Sequence, residues 1–206
     1  MAIEAAKRAG VKIVLAGTID RHQHESVSYF NDAIKPQIDN DQVKYVGPVN
    51  MKEKIRLLSR AQGFLNPLQW EEPFGMVMIE AMALGCPVIS FARGAAPEIV
   101  IHRKTGFLVQ NVNEMVRFIP RIDEIDRQAA RQHVERNFSV RVMSEKYVKI
   151  YSQVIKTAKG VPDRPYSNDA MDKLGKPLPK TSVIKKAVPA QVAPAATVEM
   201  EVNARN

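Results

Sequence analysis

NPLQWEEPFGMVMIEAMALGCPVIS, residues 66–90, reads as a loop, a helix and a strand in immediate succession. The loop holds two acids, Glu71 and Glu72, followed at once by Pro73. Proline disfavours αR at the residue before it, so no continuous helix runs through Glu72. The helix is expected to begin near Gly75, leaving Glu72 in the loop. On that helix Met76, Glu80 and Ala83 share one face, at i, i+4 and i+7. The rest of the run is apolar, and a carboxylate there is costly to bury alone, so Glu80 is expected to be hydrogen-bonded. Gly85 ends the helix, and Pro87–Phe91 follows as a strand.

Working outward, strand and helix signals alternate. Ala2–Ala9 reads as a helix stopped by Gly10. VKIVLA, residues 11–16, has the length and β-branching of a buried parallel strand. Residues 25–34 look helical, with Tyr29, Phe30 and Ala33 or Ile34 inward, ending near Pro36. Val43–Val46 is a strand. Asn50 is an N-cap for a helix over residues 51–61, with Ile55, Leu57 and Leu58 packed. Gly63–Asn66 is a short apolar strand. Beyond the central stretch come a short helix over 96–101, a strand over 107–110, helices over 113–119 and 125–137, and a long helix over 139–156. The pattern predicts an α/β fold with a doubly wound parallel sheet and flanking helices. Ligands then bind beyond the carboxyl ends of the strands. Those ends are Gly17–Asp20, Gly47–Val49, Asn66–Gly75 and Phe91–Ala95.

The chain has 206 residues, 45% hydrophobic and 25% charged, with a formal charge of +8. That is an ordinary globular composition, with no apolar run long enough to span a membrane. MAIEAAKRAG carries charges where a signal peptide needs an apolar core. The single cysteine, Cys86, excludes an intrachain disulfide and fits a reducing, cytoplasmic setting. Several basic residues lie after Ala158, where Pro, Ala and scattered charge replace any period. Residues 158–206 therefore read as a flexible tail behind a domain over 1–157. No nucleic-acid module is evident, so no nucleic-acid partner is expected. His22-Gln23-His24 has no companion cluster, and a metal site needs three or four ligands, so no metal is expected. No G-x-x-x-x-G-K-[ST] or G-x-G-x-x-G occurs, which weighs against a P-loop or dinucleotide enzyme.

The pair Glu72–Glu80 with Phe74-Gly75 between them, then EAMALGCPVIS, GAAPEIV and TGFLV, closely resembles the donor-binding lobe of retaining glycosyltransferases of GT-B family 4. The resemblance runs from about Ala2 to about Ile155 and implies a Rossmann-like lobe. It implies that the substrate is a nucleotide sugar (UDP-, GDP- or ADP-linked), with no metal or other cofactor. By resemblance, the amides of Phe74, Gly75 and Met76 meet the diphosphate at a helix N-terminus, where free N–H groups and the dipole favour an anion. Glu72, the catalytic-face acid, accepts hydrogen bonds from the donor-sugar hydroxyls, and Glu80 from the ribose hydroxyls. Gly17 and Val49 border the base. Without the surrounding motif Glu72 reads as a solvated loop acid and Glu80 as a structural cap or ion-pair partner, and the motif puts the ligand reading ahead; Gly17 and Val49 are explained equally well as turn residues. Trp70 and Phe74 either line the pocket or pack the loop.

A donor lobe of this family opens with a strand and a glycine-rich loop carrying an Arg, then Lys-Gly. This sequence starts on the helix after them. The resemblance thus implies a lobe lacking its first strand, its phosphate-clamping cations and the acceptor-binding lobe, and so incompetent alone. A non-catalytic subunit or docking module that keeps the fold is the alternative. Membrane contact through an absent lobe stays open.

Overall fold

The computed structural model describes residues 1–158 and 197–201. Its elements are α1 (Ala2–Ala9), β1 (Lys12–Ala16), α2 (His24–Tyr29), β2 (Val43–Gly47), α3 (Met51–Arg60), β3 (Gly63–Asn66), α4 (Met76–Ala83), β4 (Val88–Phe91), α5 (Ala96–Ile99), β5 (Gly106–Val109), α6 (Val112–Phe118), α7 (Arg127–Asn137), α8 (Val140–Ala158) and β6 (Thr197–Glu201). Of the described residues, 1–139 with 197–201 form one compact unit, and 140–158 belong to a second.

Local chemistry sets most boundaries. Gly10 closes α1 in the left-handed region, at φ 70°. Asn50 caps α3 in a full capping box: its side chain accepts from the Glu53 amide, and Glu53 accepts from the Asn50 amide. Asn111 and Asp126 cap α6 and α7 through their side-chain oxygens. After α2 the chain widens into a π-helical turn over Phe30–Ile34 and tightens into a 3-10 turn over Lys35–Gln37 at Pro36. This break shifts the helical phase. Tyr29, expected inward, is exposed, while Ile34 packs on the core. Ile55 of α3 is likewise exposed, and Leu58 alone of that helix is fully buried.

The sheet order is β2-β1-β6-β3-β4-β5. β1 with β2, β3 with β4, and β4 with β5 pair in parallel. The winding runs outward in both directions from the gap between β1 and β3. The doubly wound parallel expectation therefore holds for β1 to β5. The central position is filled by β6, antiparallel to both neighbours.

Within the stretch 158–206, read from composition as a flexible tail, Thr197–Glu201 is a strand of the sheet. Composition pointed away from it, but the inner edges of β1 and β3 carry backbone groups that need partners whatever the side chains. The alternative for that stretch, a tail helix or short partner-binding motif around residues 181–188, lies outside the described residues. α8 carries Val140, Met143, Tyr147, Ile150 and Val154 at helical spacing, with the Tyr147 and Tyr151 rings 5.9 Å apart.

Two apolar clusters cover the sheet. One gathers Ile13, Leu15 and Leu65 with Phe107 and Met115; the other gathers Phe64, Met78, Met82 and Val88 with Leu58. Register alternates accordingly: Phe64 and Leu65, adjacent on β3, serve opposite faces. At the carboxyl end of β1, the Gly17 amide donates to the Gly47 carbonyl at 2.9 Å. The Gly17 carbonyl accepts from the Tyr45 hydroxyl at 2.8 Å. Phe30 lies against the same ring, 5.0 Å between centroids.

Burial raises the Tyr45 pKa above the ordinary phenol value of 10.0. The folded state thus holds this proton more tightly than the unfolded chain. The resulting stabilisation is complete below pH 10 and is lost as pH rises through the raised folded value. Tyr45→Phe is expected to lower stability at neutral pH by about 1 kcal/mol, the worth of one hydrogen bond. It should also flatten part of the alkaline decline, as read from urea unfolding at pH 8 to 11.

Candidate functional site

The carboxyl ends of β1 to β4 share one edge of the sheet, and the predicted residues gather along it. Beneath the loops after β3 and β4 sits a small buried polar group. The Asn66 side-chain amide donates to Ser90 Oγ at 3.0 Å and to Met78 Sδ at 3.3 Å, and Ser90 Oγ donates to the Asn66 carbonyl. Asn66 and Ser90 are buried, so these bonds fix the two strand ends relative to each other and to α4.

Above that group the two loops are bound together. The Ala95 amide donates to the Glu72 carbonyl at 2.8 Å. The Gly94 amide donates to Glu71 Oε2 at 2.7 Å, and Arg93 Nε pairs with Glu71 Oε1 at 3.2 Å. Arg93 also donates to the Gln69 carbonyl. Gly94 has φ +54°, and a Cβ there would lie 2.6 Å from the Glu72 backbone nitrogen and oxygen. Glycine is required at this position both for its conformation and for the close approach of the two backbones.

Glu72 turns back on the helix that follows it. Its Oε1 accepts from the Gly75 amide at 3.1 Å and from the Phe74 amide at 3.4 Å. Gly75, the N-cap, sits in the left-handed region at φ 72° and has no side chain to cap α4. The Glu72 carboxylate instead bonds the two amides just ahead of α4, near the positive end of the helix dipole. Two of the three amides expected to face a diphosphate are thus engaged by the chain's own carboxylate. Met76 follows at the first turn. Trp70, Phe74 and Met76 are 47%, 50% and 57% exposed, so they do not pack the loop but stand on its surface.

Glu80 has the partner its apolar surroundings call for. Lys54 Nζ of α3 lies 2.7 Å from Glu80 Oε1, with the two side chains 24% and 30% exposed. Sequence reasoning placed Glu80 but not Lys54, because the two are joined only by the packing of α3 beside α4. Arg93 and the structural use of Glu71 were missed for the same reason. Gly17 and Val49 lie at the carboxyl ends of β1 and β2, along the same edge but on the other side of the central strand.

His22 and His24 bracket the start of α2, and among the described residues no three His, Cys, Asp or Glu side chains come together as a metal site. A shallow depression lined by His102, Leu108, Arg117 and Phe118 lies beside the edge strand β5 and contains none of the predicted residues. There His102 Nδ1 accepts from the Leu108 amide, masking part of that open edge.

The sheet is doubly wound, with Glu72 in the loop before α4 and Glu80 on that helix, both near the carboxyl ends of its strands. The family profile for Glycosyl transferases group 1 matches residues 1–138, and the chain belongs to that family. It is 27% identical to trehalose synthase of Pyrococcus horikoshii, over 72% of this chain and 38% of that protein. It is 28% identical to human alpha-1,3/1,6-mannosyltransferase ALG2, over 70% of this chain and 37% of that protein. Among solved structures, sucrose-phosphate synthase from Thermosynechococcus elongatus matches with TM-score 0.63 and 25% identity, over 76% of this chain and 42% of that one. Anabaena Alr3699/HepE in complex with UDP and glucose matches with TM-score 0.60 and 22% identity, over 74% and 44%. The fold is that of one GT-B lobe, and the chain spans less than half the length of these relatives.

Gly94→Ala is expected to destabilise strongly. The positive φ alone costs about 1–3 kcal/mol, and the collision with the Glu72 backbone adds to it. Gly10→Ala is the control: φ is +70° there too, but a Cβ would meet nothing within 4 Å. Urea midpoints should rank wild type, then Gly10→Ala, then Gly94→Ala, with the Glu72 loop perturbed only in the last.

Proposed function

We propose that this chain is the donor-binding lobe of a retaining glycosyltransferase. The complete enzyme transfers a hexosyl group from a UDP-, GDP- or ADP-sugar to an acceptor hydroxyl with retention of configuration. The observation that carries the reading is the placement of Glu72 and Glu80 on either side of the α4 start, at the carboxyl edge of the sheet. Carboxylates are good acceptors for sugar and ribose diols. Membership in the group 1 family and a relative solved with UDP and glucose support the same ligand class.

In this reading Glu80, oriented by Lys54, takes the ribose hydroxyls. Glu72 exchanges its bonds to the Phe74 and Gly75 amides for bonds to the donor-sugar hydroxyls. That exchange frees the amides, with Met76, for the diphosphate, and makes Glu72 the acid that stands over the reacting sugar. Gly17 and Val49 border the base. The lobe positions the donor and stabilises the departing diphosphate. It does so without a bound metal, in the cytoplasm, and needs a separate acceptor-binding lobe for turnover. No described helix is long and apolar enough to cross a membrane.

A second reading, a non-catalytic module that keeps the fold, draws on the same contacts: Glu72 is bonded to the chain's own Phe74 and Gly75 amides, and Glu80 has a Lys54 partner. Calorimetric titration with UDP-, GDP- and ADP-glucose separates the two. Saturable binding of one nucleotide, weakened about 10- to 100-fold in Glu80→Ala, is the outcome of the donor-lobe reading, since a hydrogen bond to a charged acceptor is worth about 1.5–3 kcal/mol. Absence of binding to all three by the folded chain supports the module.

A further inference from the structure

The loop after β3 holds an aromatic side chain out of the core on a pinned backbone. Trp70 is the protein's only tryptophan, and it is half exposed. A lone exposed aromatic is ordinary on a protein surface. This one is presented by fixed neighbours. The Trp70 carbonyl accepts from the Glu72 amide at 3.0 Å. On one side, the Gln69 carbonyl accepts from Arg93. On the other, the Glu71 carboxylate accepts from the Gly94 amide and pairs with the same Arg93. Both neighbours of Trp70 are thus tied to the loop after β4. The Glu72 side chain turns instead to the Phe74 and Gly75 amides before α4, so the two successive carboxylates serve separate directions. The Arg93 side chain is 48% exposed, and its fork has N–H groups beyond those given to Gln69 and Glu71.

We infer that Trp70, with Glu71 and Arg93, is a subsite for a hexopyranose ring of the acceptor, separate from the place of the donor sugar at Glu72. A pyranose ring is amphipathic, with C–H bonds on its face and hydroxyls around its rim. The indole offers a broad flat surface whose negative π-face suits polarised C–H groups. Arg93 donates to hydroxyl oxygens at the rim, and Glu71 accepts from hydroxyl groups. Both polar groups are already held in place, so little ordering is lost when the sugar docks. The indole itself has few rotatable bonds, and its contact area carries a small entropy cost. A purely apolar acceptor would strip water from Arg93 and Glu71 and give them nothing to bond. Assigning this ring to the acceptor rests on the donor-lobe reading; the sugar subsite itself does not.

The test titrates the full chain with maltose and follows Trp70 emission, to which no other tryptophan contributes. Glycerol, which has hydroxyls but no ring face, is the control. Maltose should move the emission to shorter wavelength with a Kd on the order of 1 mM, which is what ordinary ligand efficiency allows one docked ring of about a dozen heavy atoms. Glycerol at the same concentration should do nothing. By calorimetry, Trp70→Ala should weaken maltose binding about tenfold and Trp70→Phe about threefold, as the stacking face is lost or reduced. Arg93→Gln should weaken it about tenfold, through the lost charged donor. Arg93 also holds the loop; if that variant has a lowered urea midpoint, the Trp70 variants decide, since their midpoints should match wild type. The maltose response should persist with saturating nucleotide sugar present. No emission change with maltose, an equal change with glycerol, or unchanged maltose affinity in Trp70→Ala overturns the subsite. Competition between nucleotide sugar and maltose overturns the acceptor assignment, because the ring is then the donor's. Failure of UDP-, GDP- and ADP-glucose all to bind overturns the donor-lobe reading, while maltose binding that is lost in Trp70→Ala still supports the subsite.

Discussion

The whole sheet depends on main-chain hydrogen bonding at one place, between β1 and β3. The strands on either side wind away from it, β1 to β2 and β3 through β4 to β5, so neither half pairs with the other directly. A strand in the gap converts two half-sheets into one. Unpaired backbone groups in the interior are too costly to leave open, and this demand outweighs side-chain preference. That is why a segment with two acids, running against the direction of its neighbours, is found there.

The carboxyl edge of the sheet inherits its geometry from this arrangement. With the strands aligned, the ends of β3 and β4 are locked by Asn66 and Ser90, and the loops above them close on each other through Glu71, Arg93 and the Glu72 carbonyl. The exposed Arg93–Glu71 pair is worth little by itself, since surface ion pairs contribute about 0–1 kcal/mol. Its contribution is geometric, joined to two backbone bonds and to a glycine that tolerates contact. The outcome is a fixed position for Glu72 at the start of α4. The carboxylate there holds the Phe74 and Gly75 amides just ahead of the helix. The same economy holds at Glu80, where Lys54 neutralises an acid in an apolar helix and leaves it partly exposed.

Much of this was legible beforehand because it is local. Pro73 and Gly75 break the chain where a loop must become a helix. The Asn50–Glu53 spacing writes a capping box, and Gly10 a helix stop. VKIVLA and GFLN have the composition of buried strands. Glu80, alone among apolar neighbours, announced that it would have a partner. Where local signals were ambiguous the reading slipped: Tyr29, at the end of α2 ahead of the π-helical turn, is exposed, and α3 buried one narrow stripe that left Ile55 exposed.

The sequence by itself determined the alternation of strands and helices, the carboxyl edge of the sheet, and the two carboxylates beside it. Those features follow from spacing within a few turns of chain. Only the tertiary structure decided that Lys54 meets Glu80, that Arg93 and Glu71 join two loops, and that Thr197–Glu201 lies at the centre of the sheet. These pairings link residues far apart in sequence. Their partners are chosen by which backbone groups and charges remain unsatisfied once everything local has folded, and no periodicity in the chain records that choice.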